Sequence, residues 1–184
     1  ETNRGSEIIV SRAHRSLIEG LFRREVPEVA QGSVEIREIA REPGIRSKIA
    51  VFSSQPGVDP VGSCVGQKGV RVMAVINDLG GIEKIDIIQW HEESKQFIMA
   101  ALAPAKDLEI SLDEKNKTAQ VKVPEDQLSL AIGKEGQNVR LAAKLTGWRI
   151  YIKGKEGTKP TEPEQPPAKS TTAEVKTENE KEIK

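Results

Sequence analysis

Two glycine pairs carry the chemistry most easily read from this chain. Gly66-Gln67-Lys68-Gly69 and Gly133-Lys134-Glu135-Gly136 have the same Gly-x-x-Gly form, and each follows an aliphatic residue, Val65 or Ile132. A glycine pair at this spacing lets one backbone turn lie close against another, because no side chain intervenes. If a helix follows, its first free N–H groups and its dipole suit phosphate. Basic residues gather nearby. From Arg41 to Arg71 there are five basic residues against two acidic ones, and from Lys134 to Lys155 six against one. One such glycine pair is weak evidence, since glycine is common in turns, but two in the same frame are much stronger.

Other chemistries fit poorly. Cys64 is the only cysteine and His14 and His91 are the only histidines, so the chain has neither an internal disulfide nor a zinc-type ligand cluster. Cys64 reads as a small buried hydrophobe, His14 and His91 as surface residues, and Trp90, Trp148 and Tyr151 as packing residues. Gly62, Gly66 and Gly69 with Glu83 downstream suggest a dinucleotide fingerprint. The spacing is wrong for one, Asp59-Pro60 stands where a strand should precede it, and no Gly-Lys-Ser/Thr phosphate loop is present. No enzyme activity, cofactor or metal is expected.

The elements that must position the loops repeat with them. Leu17, Ile18, Leu21 and Phe22 predict an amphipathic helix over Arg15 to Val29. Strands follow at Ser33 to Ile39 and Arg46 to Phe52, with Arg-Glu-Pro-Gly as the turn between them. A helix then leads to the first glycine pair, a second helix leaves it and ends near Gly80-Gly81, and Lys84 to Trp90 reads as a strand. The second unit repeats this order. Its leading helix is Ser94 to Leu102, its strands Leu108 to Leu112 and Thr118 to Val123, and Pro124 opens the next helix. The helix after the second glycine pair ends at Gly147, and Trp148 to Lys153 is the last strand. The junction at His91 to Lys95 is too short to be a free linker, so the two units are expected to pack as one tandem.

Composition sets the outer limits. The 184 residues hold 28 Lys+Arg and 28 Asp+Glu, so any attraction to a polyanion must come from local charge. Only 36% is hydrophobic and 3% aromatic, which predicts small aliphatic cores. No apolar run approaches the roughly 18 residues of a membrane span, and no signal peptide is recognisable, so a cytoplasmic protein is expected. Residues 154–184 contain four of the ten prolines, no aromatic residue and few aliphatics, which predicts a disordered tail.

This succession of elements, with Gly-x-x-Gly between paired helices, resembles the KH domain in its type II form. More narrowly, REVPEVAQGSVEI, GIEKIDII and LSLAIGKEGQNVRLAAKLTGWRI resemble the tandem KH region of the NusA family of bacterial transcription factors, over about Arg12 to Lys153. The resemblance implies an α+β chain of two tandem type II KH domains, each α-β-β-α-α-β, at 14–90 and 91–153. Residues 1–13 would then be the remnant of a preceding OB-type barrel strand, and a polymerase-binding part would be missing. KH modules clamp about four nucleotides of single-stranded RNA. The implied contacts are Arg46, Lys48, Ile49, Val65, Gly66, Gln67, Lys68, Gly69 and Arg71 in the first unit. In the second they are Gln120, Val121, Lys122, Ile132, Gly133, Lys134, Glu135, Gly136, Asn138 and Arg149. The strands Lys48 to Phe52 and Gln120 to Val123 are expected to offer their backbones to base edges. The implied partner is single-stranded RNA, the nascent transcript, with RNA polymerase and antitermination factors met through parts largely absent here. The family further implies a monomer acting in pausing, termination and antitermination. Glu135 departs from the cation expected beside phosphate. A different class stays open: a protein-interaction scaffold in which one or both grooves bind no RNA.

Overall fold

The computed structural model describes residues 10–155. The expected tail beyond Lys155 and most of the expected barrel remnant lie outside the described residues. The first unit begins with α1 (Arg15–Glu25), which buries Ile18 and Phe22 and carries Arg23 and Arg24 in its last turn, where cations complement the helix dipole. The helix does not run to Val29 as the hydrophobic spacing predicts. Pro27 forces the residue before it out of the helical region, so Val26 is extended (φ −118°, ψ 103°) and a separate turn, α2 (Pro27–Ala30), follows.

β1 (Glu35–Glu42) and β2 (Arg46–Phe52) form an antiparallel hairpin. β1 runs three residues past its expected end, and its turn is closed by the Ile45 N–H donating to the Glu42 carbonyl at 3.0 Å. α3 (Pro60–Val65) starts on an Asp59 cap, with Pro60 supplying a first-turn residue that needs no N–H partner. α4 (Val70–Asp78) and β3 (Lys84–Gln89) complete the unit, β3 lying parallel to β2. The second unit consists of α5 (Ser94–Ala101), β4 (Glu109–Asp113), β5 (Thr118–Val123), α6 (Glu125–Ile132), α7 (Gln137–Thr146) and β6 (Arg149–Gly154). Its sheet has the same order and the same senses as the first, β4-β5-β6 against β1-β2-β3. The expected fold class, two tandem α+β units of KH type, is the one observed.

The two sheets differ in what covers them. β5 alternates buried and exposed residues, as a sheet covered on one face must. In β2, Ser47 to Val51 are buried without alternation. Ile49 and Val51 pack under their own helices with Ile18, Phe22, Cys64 and Val75. Ala40, Ala50 and Ile88, on the opposite face, belong instead to the core of the second unit, with Phe97, Ile98, Leu102 and Leu141. The tandem is therefore joined by a continuous hydrophobic core in which α5 and α7 cover the outer face of the first sheet.

One polar cluster fixes the entry to β3. Glu83, 1% exposed, accepts two bonds from Arg41 (2.8 and 2.9 Å), one from the Gly44 N–H (2.9 Å) and one from the Ser47 hydroxyl (2.7 Å). Arg41 also donates to the His14 carbonyl at 2.8 Å, tying in the start of α1. Burial works to raise the Glu83 carboxyl, but the four donated bonds prevail and hold it below the usual carboxylate range. Its contribution is thus complete above the ordinary value near 4.5 and is lost as pH falls through the lower folded value. Glu83→Ala leaves the Arg41 guanidinium buried and unpaired, so urea denaturation should show a loss of about 3–5 kcal/mol. Glu83→Gln should remove part of the stability at pH 7 and flatten its decline toward acid.

Candidate nucleic-acid interface

Both glycine pairs adopt one backbone conformation. Gly66 and Gly133 have φ/ψ of 76°/170° and 76°/172°, a region that residues with a Cβ essentially do not enter. The third loop residues, Lys68 and Glu135, are left-handed at φ 51° and 53°, and Gly69 and Gly136 are left-handed at 79° and 70°. Three of the four positions thus carry positive φ, which is why the pattern needs its two glycines. Single tight turns, Gln67–Gly69 and Lys134–Gly136, then lead into α4 and α7. The middle residues of the loops are Gln67 and Lys68 in the first and Lys134 and Glu135 in the second. The side chains of these four residues are exposed.

The loops are pinned from below by residues at matching positions. Arg71 passes under Gly66 and donates to the Ser63 carbonyl at 2.7 Å and to Glu28 at 2.9 Å. Asn138, 2% exposed, lies under Gly133 and donates to the carbonyls of Leu130 (3.1 Å), Ala131 (3.1 Å) and Leu102 (3.2 Å). Each side chain satisfies carbonyls left over at the end of the helix before the loop. Arg71 and Asn138, both expected to touch RNA, support the loops, Asn138 from the core and Arg71 with about a third of its side chain still exposed.

Several other expected contacts are also engaged within the protein. Lys48 is fully buried between the units, its ammonium donating to the Ala103 carbonyl at 3.1 Å and standing 3.4 Å from Asp86. Burial pushes that ammonium below its usual range despite Asp86. Ile49 and Val121 lie in the cores. Arg46 forms a two-bond pair with Asp86 at 2.7 and 3.0 Å. β2 and β5, expected to read bases with their backbones, are central strands whose polar groups bond to a neighbour on each side. The strand edges left open beside α3 and α6 are β3 and β6, which local pattern cannot distinguish from central strands. Val65 and Ile132 are half-buried before the loops, while Gln120, Lys122 and Arg149 are exposed on the second sheet. Arg149 lines a depression with Ser111, Lys117, Thr118 and Gln120 that includes none of the second loop. Cys64 is buried, and that burial pushes its thiol up to about 12, in keeping with a packing residue.

Two acidic residues missed by sequence reasoning set the local charge. Glu28 neutralises Arg71. Glu42, at the end of β1, accepts from Gln137 (2.9 Å) and Arg140 (2.7 Å) of α7, with Lys144 at 3.9 Å. Arg140 holds the Glu42 carboxyl below the usual carboxylate range against partial burial, and Arg140 also donates to the Glu135 carbonyl at 3.1 Å. A strand of the first unit thus grips the helix that follows the second loop. Lys68 and Lys134 remain as the loop cations without a carboxylate partner among the described residues.

The two glycine pairs should differ in tolerance. A Cβ on Gly133 would stand 2.7 Å from Asn138 Cβ and 2.8 Å from its backbone nitrogen, whereas one on Gly66 would meet only the flexible Arg71 side chain, at 2.8 Å. Both substitutions strain φ, at about 1–3 kcal/mol. Thermal melting should show Gly133→Ala more destabilised than Gly66→Ala, and equal losses would mean the backbone under Gly133 yields.

Comparison with known proteins matches this geometry to a family. Residues 12–90 match the NusA-like first KH domain and residues 94–160 the NusA-like second KH domain. The chain is 55% identical over 153 residues to the transcription termination/antitermination protein NusA of Bacillus subtilis, covering 83% of this chain and 41% of that protein. With the protein of the same name from Thermus thermophilus it shares 56% over 153 residues, covering 83% and 39%. The chain thus spans about two fifths of the length of these curated relatives. The crystal structure of APE1850 superposes with a TM-score of 0.53 at 20% identity, covering 79% of this chain and 100% of that one, which is a likeness of fold. Two successive matches in family order, joined to identities above one half, make this chain a member of the NusA family carrying its tandem KH region.

Proposed function

We propose that the chain binds single-stranded RNA through its two Gly-x-x-Gly loops and serves, within a NusA-type protein of the cytoplasm, in transcription termination and antitermination with RNA polymerase. The observation that carries this reading is the shared backbone of the loops, each placing two exposed middle residues at the entry to a following helix. Gly66, Gln67, Lys68 and Gly69, with Gly133, Lys134, Glu135 and Gly136, would hold the phosphate backbone through N–H groups and lysine. Val65 and Ile132 would floor the grooves, and the open edges of β3 and β6 would meet the bases. At about four nucleotides per KH unit, a strand engaging both loops spans roughly eight or more.

The loops can be tested apart from the fold. Gln67→Asp with Lys68→Asp, or Lys134→Asp with Glu135→Asp, alters exposed side chains and should cost no more than about 0.5 kcal/mol in thermal stability. Aspartate also tolerates the left-handed backbone better than most residues. Each double substitution should weaken binding to an unstructured RNA at least about tenfold, a loss of ~1.4 kcal/mol, by placing carboxylates against phosphate. Wild-type protein should bind a duplex of the same length less well, because bases must leave the stack to enter the grooves. Undiminished RNA binding by variants that melt like the wild type would favour the protein-interaction scaffold.

Salt should report how few cations are free. With Arg46, Arg71 and Arg140 committed to carboxylates and Lys48 buried, about three or four phosphates are neutralised. The slope of log K against log salt should then be near −2 to −3, at about −0.7 per phosphate for single strands. A slope steeper than about −4 in an RNA titration would mean those ion pairs open on binding.

A further inference from the structure

We infer that the outer face of the second sheet is an additional single-stranded RNA surface, which takes the strand onward from the second groove. The inference rests on the proposed groove along β6 and extends it. In the first unit the corresponding face is covered by α5 and α7 and contributes Ala40, Ala50 and Ile88 to the shared core. In the second unit no described element covers it, and its residues have a different chemistry. The pleat turns Ile150 and Ile152 inward and leaves Arg149, Tyr151 and Lys153 on the outer face of β6. The register places Gln120 opposite Tyr151 and Lys122 opposite Lys153.

A half-buried aromatic ring thus stands between two cations along one strand, with an amide and a third cation beside it on the next. A ring offers a stacking face to any base, the flanking cations meet the phosphates on either side, and the amide can bond a base edge. The acidic residues of the face are confined to β4, the edge away from the groove. There Glu109 pairs with Lys155 at 3.2 Å, and Asp113 accepts from Asn116 at 2.8 Å. Beside the platform lies an open depression of ≈ 840 Å³ floored by Gln120 and Arg149 and rimmed by Lys115 and Lys117. β6 belongs to both surfaces, because it is the open edge of the groove and its outward side chains form the platform. A strand rounding that edge would pass directly from one to the other. An acidic protein segment would use the cations but would leave the ring without a role, and for that reason the face is assigned to RNA.

The test compares an unstructured RNA of about nine nucleotides, enough for two KH loops, with one of about eighteen. The 184-residue chain is titrated by fluorescence anisotropy as wild type, Tyr151→Ala, Tyr151→Phe and the double variant Lys122→Gln/Lys153→Gln. The longer RNA is expected to bind the wild type more tightly. Tyr151→Ala and the double variant should each lose about tenfold on the longer RNA, as removal of one stacked base or two phosphate contacts would. Binding of the shorter RNA should stay within about twofold for both variants, and Tyr151→Phe should restore the longer RNA. Equal losses on both lengths would overturn the inference, since the residues would then serve the groove itself or the fold. Unchanged RNA binding together with lost binding to a poly-glutamate peptide would overturn it in favour of an acidic protein partner. Failure of the wild type to bind either RNA would overturn the proposed function as well, and so separates the two claims.

Discussion

The covering of the first sheet on both faces is the constraint on which the rest of this molecule depends. β2 is buried from Ser47 to Val51 because its own helices lie on one side and α5 and α7 on the other. A strand buried on both faces has no free side for RNA. It also carries a lysine that must find partners inside the protein, which Lys48 does at Ala103 and Asp86. Burying an ammonium this completely is costly unless it is bonded, so the two units have to fit closely where those partners meet it.

The same packing couples the two loops. The helix that leaves the second glycine pair packs on β1, and its Gln137 and Arg140 are held by Glu42. The position of the second loop is therefore set by the first sheet, and the two candidate RNA grooves have a fixed spacing. This arrangement suits a ligand longer than one groove. It also accounts for the modest local charge, because several basic residues counted near the loops in the sequence hold the protein together. Arg71, Arg46 and Arg140 are paired with Glu28, Asp86 and Glu42.

The two units meet one requirement with different residues beneath each loop. Arg71 and Asn138 occupy the same place in the frame and meet the same need, since carbonyls at the end of a helix require donors when the chain turns sharply at a glycine. The arginine reaches outward to Glu28 as well, whereas the shorter asparagine is sealed in the core and bonds across to Leu102. The outer sheet faces diverge further, apolar where a second unit lies against the first and cationic with a central tyrosine where none does.

The order of elements, the repeat and the loops were legible in the amino-acid sequence, because they depend on local periodicity, on proline and on glycine. Asp59-Pro60 opens α3, and positive φ at Gly66 and Gly133 demands glycine whatever surrounds it, whereas the hydrophobic spacing runs on through the break that Pro27 makes between α1 and α2. Which residues face a ligand was much less legible. Lys48, Arg71 and Asn138 have the types and spacing of phosphate contacts, and sequence alone assigns them to RNA. Only the tertiary structure shows what they bond to inside the protein, because burial depends on what packs opposite a residue, and Glu28, Glu42, Asp86 and Leu102 come from distant parts of the chain. The choice of edge strand follows the same rule. β2 and β3 have similar local patterns, and only the order of strands in the sheet determines that β3 and β6 keep an open side.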